Sequence, residues 1–272
     1  MYEQTYPELG GGGNRRAVLD GAGFLLWTGF GHVVGASVVS TVTDEGAARR
    51  LQVLAADDEG WRSVHEAVIR RLARAGVQRR YVTVREDCTR VVSLLGGLGY
   101  QEFSRSWGAR LVVTHESLPY LRSLAAGGPA DVRLRSLAVD DAAATYALRR
   151  DHRADFPVTP ATPIEDYSPE RIASLLAGGR SFGAWVGDEL VSVTLMESSG
   201  SAAAETDFTV TAAHQRGRGI ATALKAFAVC RLAEQGVRIF GTGGAGINEA
   251  SRRANLRLGY QLEPMWLTYA AG

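Results

Sequence analysis

Residues 205–235 read ETDFTVTAAHQRGRGIATALKAFAVCRLAEQ. The first seven alternate Glu205, Thr206, Asp207, Phe208, Thr209, Val210 and Thr211, a β-branched pattern that predicts a strand with Glu205, Asp207, Thr209 and Thr211 on one face. A tight turn follows, Arg216-Gly217-Arg218-Gly219. A helix starts inside it, with Ile220, Leu224, Phe227 and Ala228 forming one apolar stripe. Backbone N–H groups at a helix start have no intrahelical acceptor, and the helix dipole adds positive potential there. With glycines on the approach and arginines on the rim, this is a seat for a pyrophosphate.

A nucleoside-triphosphate loop needs Gly-Lys followed by Ser or Thr, and the chain's single lysine, Lys225, lies too far into the helix. In a dinucleotide fingerprint Thr222 would occupy the third glycine position. The segment instead resembles motif A of the GNAT superfamily of acyl-CoA-dependent N-acetyltransferases, Arg/Gln-x-x-Gly-x-Gly/Ala, with Arg216, Gly219 and Ala221 in register. The resemblance implies acetyl-CoA as co-substrate. Arg216, Gly217, Arg218, Gly219, Ile220, Ala221 and Thr222 would hold its pyrophosphate, and the strand end at Thr209, Val210 and Thr211 its acyl and pantetheine part. The family's last helix carries Asn-x-x-Ala-x-x-x-Tyr-x-x-Leu-Gly-Phe, and here Asn248, Ser251, Asn255 and Leu258-Gly259-Tyr260 take those places. Asn248 and Asn255 are thereby assigned to cofactor binding. Asn255 stands where many members place the tyrosine that protonates the leaving thiolate, which leaves Tyr260 or solvent as the general acid.

The implied reaction is direct attack of a primary amine, of a small molecule or less commonly a peptide, on the acetyl thioester. The amine must lose a proton to a carboxylate within reach. Glu205, eleven residues before Arg216, occupies a position where some members carry the base, and Asp207 is the second candidate. A solvated acidic pair on an edge strand would explain both residues as well.

Composition is that of a soluble globular protein, 46% hydrophobic and 22% charged with a formal net charge of +1, which gives no global attraction to nucleic acid or membrane. Cys88 and Cys230 fall in apolar helical patterns and read as buried free thiols. The five histidines show no metal-ligand spacing, so no metal is expected. With no signal pattern at the glycine-rich residues 1–14, expected to be flexible, a cytoplasmic location is the default.

The 272 residues repeat. LGYQ occurs at 98–101 and 258–261, Arg-Leu-Ala at 71–73 and 231–233, and Gly-Val at 76–77 and 236–237, each pair 160 residues apart. The fold expected is mixed α+β in two GNAT-like domains, each a mixed central sheet flanked by helices. Their ranges are 1–126, a degenerate copy, and 127–272, the catalytic one, with AAGGPAD at 125–131 as the linker. At the same offset Gly217-Arg218-Gly219 becomes Asp57-Asp58-Glu59, and Ala221 becomes Trp61. Carboxylates facing a phosphate repel it by about 1 kcal/mol per close pair in water and about 4 kcal/mol at an effective dielectric of 20. The first copy is therefore expected to bind no acyl-CoA, and the chain to be a monomer with an internal pseudo-dimer, or a homodimer.

Two other readings stand beside this one. Residues 241–246, GTGGAG, form a Gly-x-Gly-x-x-Gly between a predicted strand and helix, with Glu263 about twenty residues on, as an NAD(P)-binding oxidoreductase requires. The helix after it, NEASRRANLRLG, is too polar to pack on such a sheet. The third reading is a tandem module that senses acyl-CoA without turnover.

Overall fold

The computed structural model describes the backbone of residues 23–29, 32–41 and 48–271, and side chains from Ala48 onward. Residues 1–14 lie outside the described residues. Contacts divide the chain into two compact units, Met1–Ser106 with Val158–Ile164 and Pro264–Gly272, and Trp107–Pro157 with Glu165–Glu263.

In unit 1, strands β1 (Gly23–Gly29), β2 (His32–Thr41) and β3 (Ala48–Ala55) form an antiparallel run. Helix α1 (Asp58–Arg74) crosses over, so β4 (Arg79–Arg85) returns parallel to β3. The chain's last strand, β12 (Trp266–Ala271), lies antiparallel between β4 and the first half of β5 (Gln101–Val112). Trp61, Val64, Val68 and Leu72 make one buried stripe on α1, packed in a core with Leu51, Val53, Val82 and Val84, to which β12 contributes Leu267 and Tyr269. Helix α2 (Thr89–Gly97) adds Val91, Leu94 and Leu95.

In unit 2 the second half of β5 leads the order β5-β10-β9-β8-β7-β6, with β6 (Val132–Ser136), β7 (Ser181–Val186), β8 (Glu189–Gly200), β9 (Ala203–Thr211) and β10 (Ile239–Ala245). The short β11 (Gln261–Leu262) also pairs with β5. The hairpin between β7 and β8 turns at Gly187, whose φ of 58° suits glycine. Helices α3 (Leu118–Ala126), α4 (Ala142–Asp151), α5 (Pro169–Ala177), α6 (Ile220–Glu234) and α7 (Glu249–Arg257) complete the unit. Ser168 caps α5 by accepting the Arg171 N–H, with Pro169 first in the helix. Helix α6 is buried on nearly all sides, as its Ala- and Leu-rich sequence requires.

The expected division at 126/127 differs from these units. Residues 124–126 are the last turn of α3, which packs along α6 with Leu121 fully buried, and so belong to unit 2. The C-terminal strand in turn belongs to unit 1. The repeat is visible in the elements: β10 and α7 begin and end 160 residues after β4 and α2.

Candidate active site

Strands β9 and β10 pair in parallel only over Ala203, Ala204 and Glu205 with Ile239, Phe240 and Gly241. Beyond that point they part, which frees the β10-facing backbone of the rest of β9. On its other edge β9 pairs with β8, and the register slips by one residue: Leu195 faces Phe208 but Met196 faces Thr206. Asp207 is thus the extra residue of a β-bulge. Tyr167 touches both Asp207, through a 2.6 Å hydrogen bond from its hydroxyl, and the ring of Phe208. Strict alternation would send those neighbours to opposite faces. The bulge therefore moves Thr209 and Thr211 off the face of Glu205 and Asp207, and the single four-residue face expected from the sequence is not formed. Thr209 and Thr211 instead bond Thr194 and Ser192 across the strand pair, each at 2.8 Å.

At the turn after β9, Gly217 and Gly219 have φ of 77° and 80°, the left-handed region that only glycine enters freely. Gly219 is the N-cap of α6 and offers no side chain to its amides. The helix's first bond runs from the Ala223 N–H to the Gly219 carbonyl, so the amides before it have no intrahelical acceptor. They open into a cavity of about 440 Å³. Its walls include Thr209, Val210, Thr211, Arg216, Gly217, Gly219, Ile220, Ala221, Thr222, Asn248 and Asn255. Every sequence-predicted cofactor residue is there except Arg218, which turns away to Asp131 at 2.6 Å and to Gln215. Arg216 donates from Nε to the Thr211 carbonyl at 3.0 Å and from Nη2 to Asp155 at 2.6 Å. That ion pair holds the Asp155 carboxyl below the usual carboxylate range. Asn248 caps α7 by accepting the Ser251 N–H at 3.2 Å.

The predicted catalytic residues lie where β9 and β10 part. The Glu205 carboxylate rests on Gly241, where a Cβ would collide with it. Glu205 is exposed as a residue, yet its carboxylate is crowded by protein, and desolvation raises its pKa. Glu263 adds to the rise and Arg110 opposes it. Desolvation also raises Asp207, with Glu197 acting in the same direction and the Tyr167 hydrogen bond against it. Tyr260 is 2% exposed, and its hydroxyl has no well-formed hydrogen bond, although Thr206 lies near enough to lower its pKa slightly against a large rise from burial. It does not line the cavity. Sequence reasoning missed Lys225, which does. Its Nζ donates to Asn255 Oδ1 at 2.6 Å and Thr242 Oγ1 at 3.4 Å, and burial lowers its pKa to about 7. An apolar helix carrying one lysine was the available signal.

The Gly-x-Gly-x-x-Gly segment is not a phosphate loop. Its first five residues belong to strand β10, and its glycines have contacts of their own. Gly241 makes room for Glu205, while a Cβ on Gly243 would sit 2.9 Å from the Trp107 carbonyl and one on Gly244 3.3 Å from the Trp107 ring. This removes the basis of the dinucleotide reading. Among the described residues no cluster of His, Cys, Asp and Glu is arranged to hold a metal, and no helix is long and apolar enough to cross a membrane.

No protein-family model matches the chain, and no curated protein does. Solved structures do. A GCN5-related N-acetyltransferase from Sphaerobacter thermophilus superposes with a TM-score of 0.68 at 14% identity, over 89% of this chain and 77% of that one. A tandem GNAT protein from the clavulanic acid biosynthesis pathway gives 0.67 at 18% identity, over 92% and 82%. A GCN5-related N-acetyltransferase from Kribbella flavida gives 0.59 at 15%, over 96% and 94%. At these identities the likeness establishes the fold, a mixed α+β GNAT-type architecture of sheets flanked by helices.

Proposed function

We propose that the chain is an acyl-CoA-dependent N-acyltransferase, moving an acetyl group from acetyl-CoA to a primary amine of a small molecule, with unit 2 carrying the site. The observation that carries this reading is the uncapped, glycine-led start of α6 opening into the same cavity as the strand end at Thr209 and Thr211. A diphosphate suits the free amides of α6. Its charge would compete with Asp155 for Arg216. The strand end would hold the acyl and pantetheine part through backbone groups that β10 leaves unpaired.

Glu205 is the general base in this reading. An ammonium acceptor gives its proton to the carboxylate, directly or through one water, and the neutral nitrogen attacks the thioester carbonyl. A carboxylate with a raised pKa is a better proton acceptor near neutrality than an ordinary one. Asp207 is engaged by Tyr167, so Glu205 is the freer of the two.

We read unit 1 as a copy that has lost the site. Asp57 caps α1, its carboxylate accepting the Gly60 N–H at 2.7 Å. The chain's own anion thus takes the place that a phosphate would need, and Trp61 is fully buried beside it. Calorimetry with acetyl-CoA is expected to give a stoichiometry near one, and Gly219→Asp to abolish binding by putting a carboxylate and a strained φ at the cap. Two equivalents bound would overturn the reading of unit 1, and no binding the reading of unit 2.

A further inference from the structure

Lys225 is the only lysine in the sequence, and it is 3% exposed. A buried ammonium is ordinarily matched by a carboxylate. Among the described residues no carboxylate lies within ion-pair distance of Lys225; its partners are the neutral oxygens of Asn255 and Thr242. Asn255, itself 1% exposed, is aimed by its own amide, which donates to the Ser251 carbonyl at 2.8 Å and leaves Oδ1 for the lysine. The Tyr260 ring lies 5.6 Å away. The other ionisable side chains on the cavity wall, Asp155 and Arg216, are paired with each other. An ammonium has three N–H donors, and two are engaged. The cavity that Lys225 lines is where the strand end and the start of α6 converge. Such a cation is matched by an anion that is present only part of the time.

We propose that Lys225 is the proton donor to the departing CoA thiolate. The inference rests on the reading of unit 2 as an acyl-CoA site. In the step, a bond forms between the amine nitrogen and the thioester carbonyl carbon, and the C–S bond breaks with its electron pair left on sulfur. The Lys225 ammonium passes a proton to sulfur, giving the CoA thiol and a neutral lysine, which takes a proton from solvent before the next turnover. The acceptor nitrogen gives up two protons: one to Glu205 before attack, which Glu205 passes to solvent, and a second to Glu205 or water once the N–C bond has formed. A lysine whose pKa burial lowers to about 7 releases a proton far more readily than an ordinary one and is still charged in a substantial fraction of molecules at neutral pH. Asn255 keeps the ammonium in place without neutralising it.

The test needs no acceptor. Coenzyme A itself is bound to the full-length chain, and the ultraviolet absorbance of its thiolate is followed against pH, with a CoA thioether as the non-titrating blank. Thiol and lysine titrate as a pair, the thiolate holding the ammonium and the ammonium favouring the thiolate, so thiolate is expected to appear about one unit or more below the pH at which free CoA ionises. Lys225→Met is expected to abolish the shift while CoA still binds. Calorimetry in buffers of different ionisation enthalpy gives a second measure, a proton release on CoA binding that Lys225→Met removes. CoA bound to the wild-type chain with an unshifted or raised thiol pKa overturns the inference and leaves the proposed function standing, whether or not the variant folds. An equal shift in Lys225→Met also overturns it. Failure of the wild-type chain to bind CoA at all overturns both.

Discussion

Glu205 lies on a glycine, and that placement fixes its chemistry. Gly241 lets the carboxylate settle against the strand at the point where β9 and β10 part, and the crowding that results raises its pKa. As the base it must be ionised, so kcat/KM is expected to fall as pH drops through a value above the ordinary glutamate pKa of about 4.3. Glu205→Gln keeps the shape and is expected to lower kcat by about 10²–10⁴-fold, to flatten the acid limb and to leave acetyl-CoA affinity unchanged. Release of the CoA thiol across a panel of amines measures this. Unchanged turnover would point to Asp207, and no release of CoA thiol with any amine from a wild-type chain that binds acetyl-CoA would point to a module that binds acyl-CoA without using it. Lys225 supports a prediction about stability. Its pKa is 10.5 as a free side chain and about 7 in the fold, so between those values the unfolded chain binds more protons. Stability from this group therefore rises with pH across that window and is lowest at and below pH 7. Lys225→Met removes the dependence. Its unfolding free energy relative to wild type, followed by denaturant melts across pH, is expected to be most favourable at or below pH 7 and to decline toward pH 10, by an amount on the order of a few kcal/mol.

At the scale of elements, the strand, turn and helix at 203–234 were legible because their signals are local: β-branched alternation, glycines with positive φ and an apolar run. The bulge at Asp207 was not, because it exists only in the register with β8. The glycines of β10 misled for the same reason. They fit a dinucleotide pattern by spacing, but each is required by a partner far away in sequence, Glu205 for Gly241 and Trp107 for Gly243 and Gly244. The role of Lys225 was hidden because a sequence shows a lysine without showing its burial. The glycine contacts are testable. Gly243→Ala would place a methyl 2.9 Å from the Trp107 carbonyl, a backbone atom that moves only if β5 and β10 shift apart. A loss of about 1–3 kcal/mol is expected, seen as a lower denaturant midpoint at an unchanged slope. Gly244→Ala meets the edge of a ring at 3.3 Å and is expected to cost less. An unaffected Gly243→Ala would mean that the glycine serves something other than close approach.

At the scale of the whole molecule, the repeat could be read from identical short words 160 residues apart, but not the way the chain distributes its ends. Strand β12 completes unit 1 although it follows every element of unit 2. β5 belongs to both, its residues up to Ser106 pairing with β12 and those from Trp107 on serving unit 2. Cutting at the apparent linker therefore damages both. A fragment spanning 127–272 lacks α3 and Trp107, against which α6 and the β10 glycines pack, and it carries β12 without β4 or β5 to pair with. It is expected to be insoluble or to melt without a cooperative transition. Removing only the residues after Glu263 is a sharper cut. It takes Leu267 and Tyr269 out of the unit 1 core and leaves the facing edges of β4 and β5 unpaired. Hydrogen exchange in that truncated chain is expected to accelerate across 48–100 well beyond any change at 203–234. A soluble 127–272 fragment with a cooperative melt would show that the second half folds without α3 and β5, and a truncation at 263 that leaves protection over 48–100 intact would show that β12 is dispensable to unit 1.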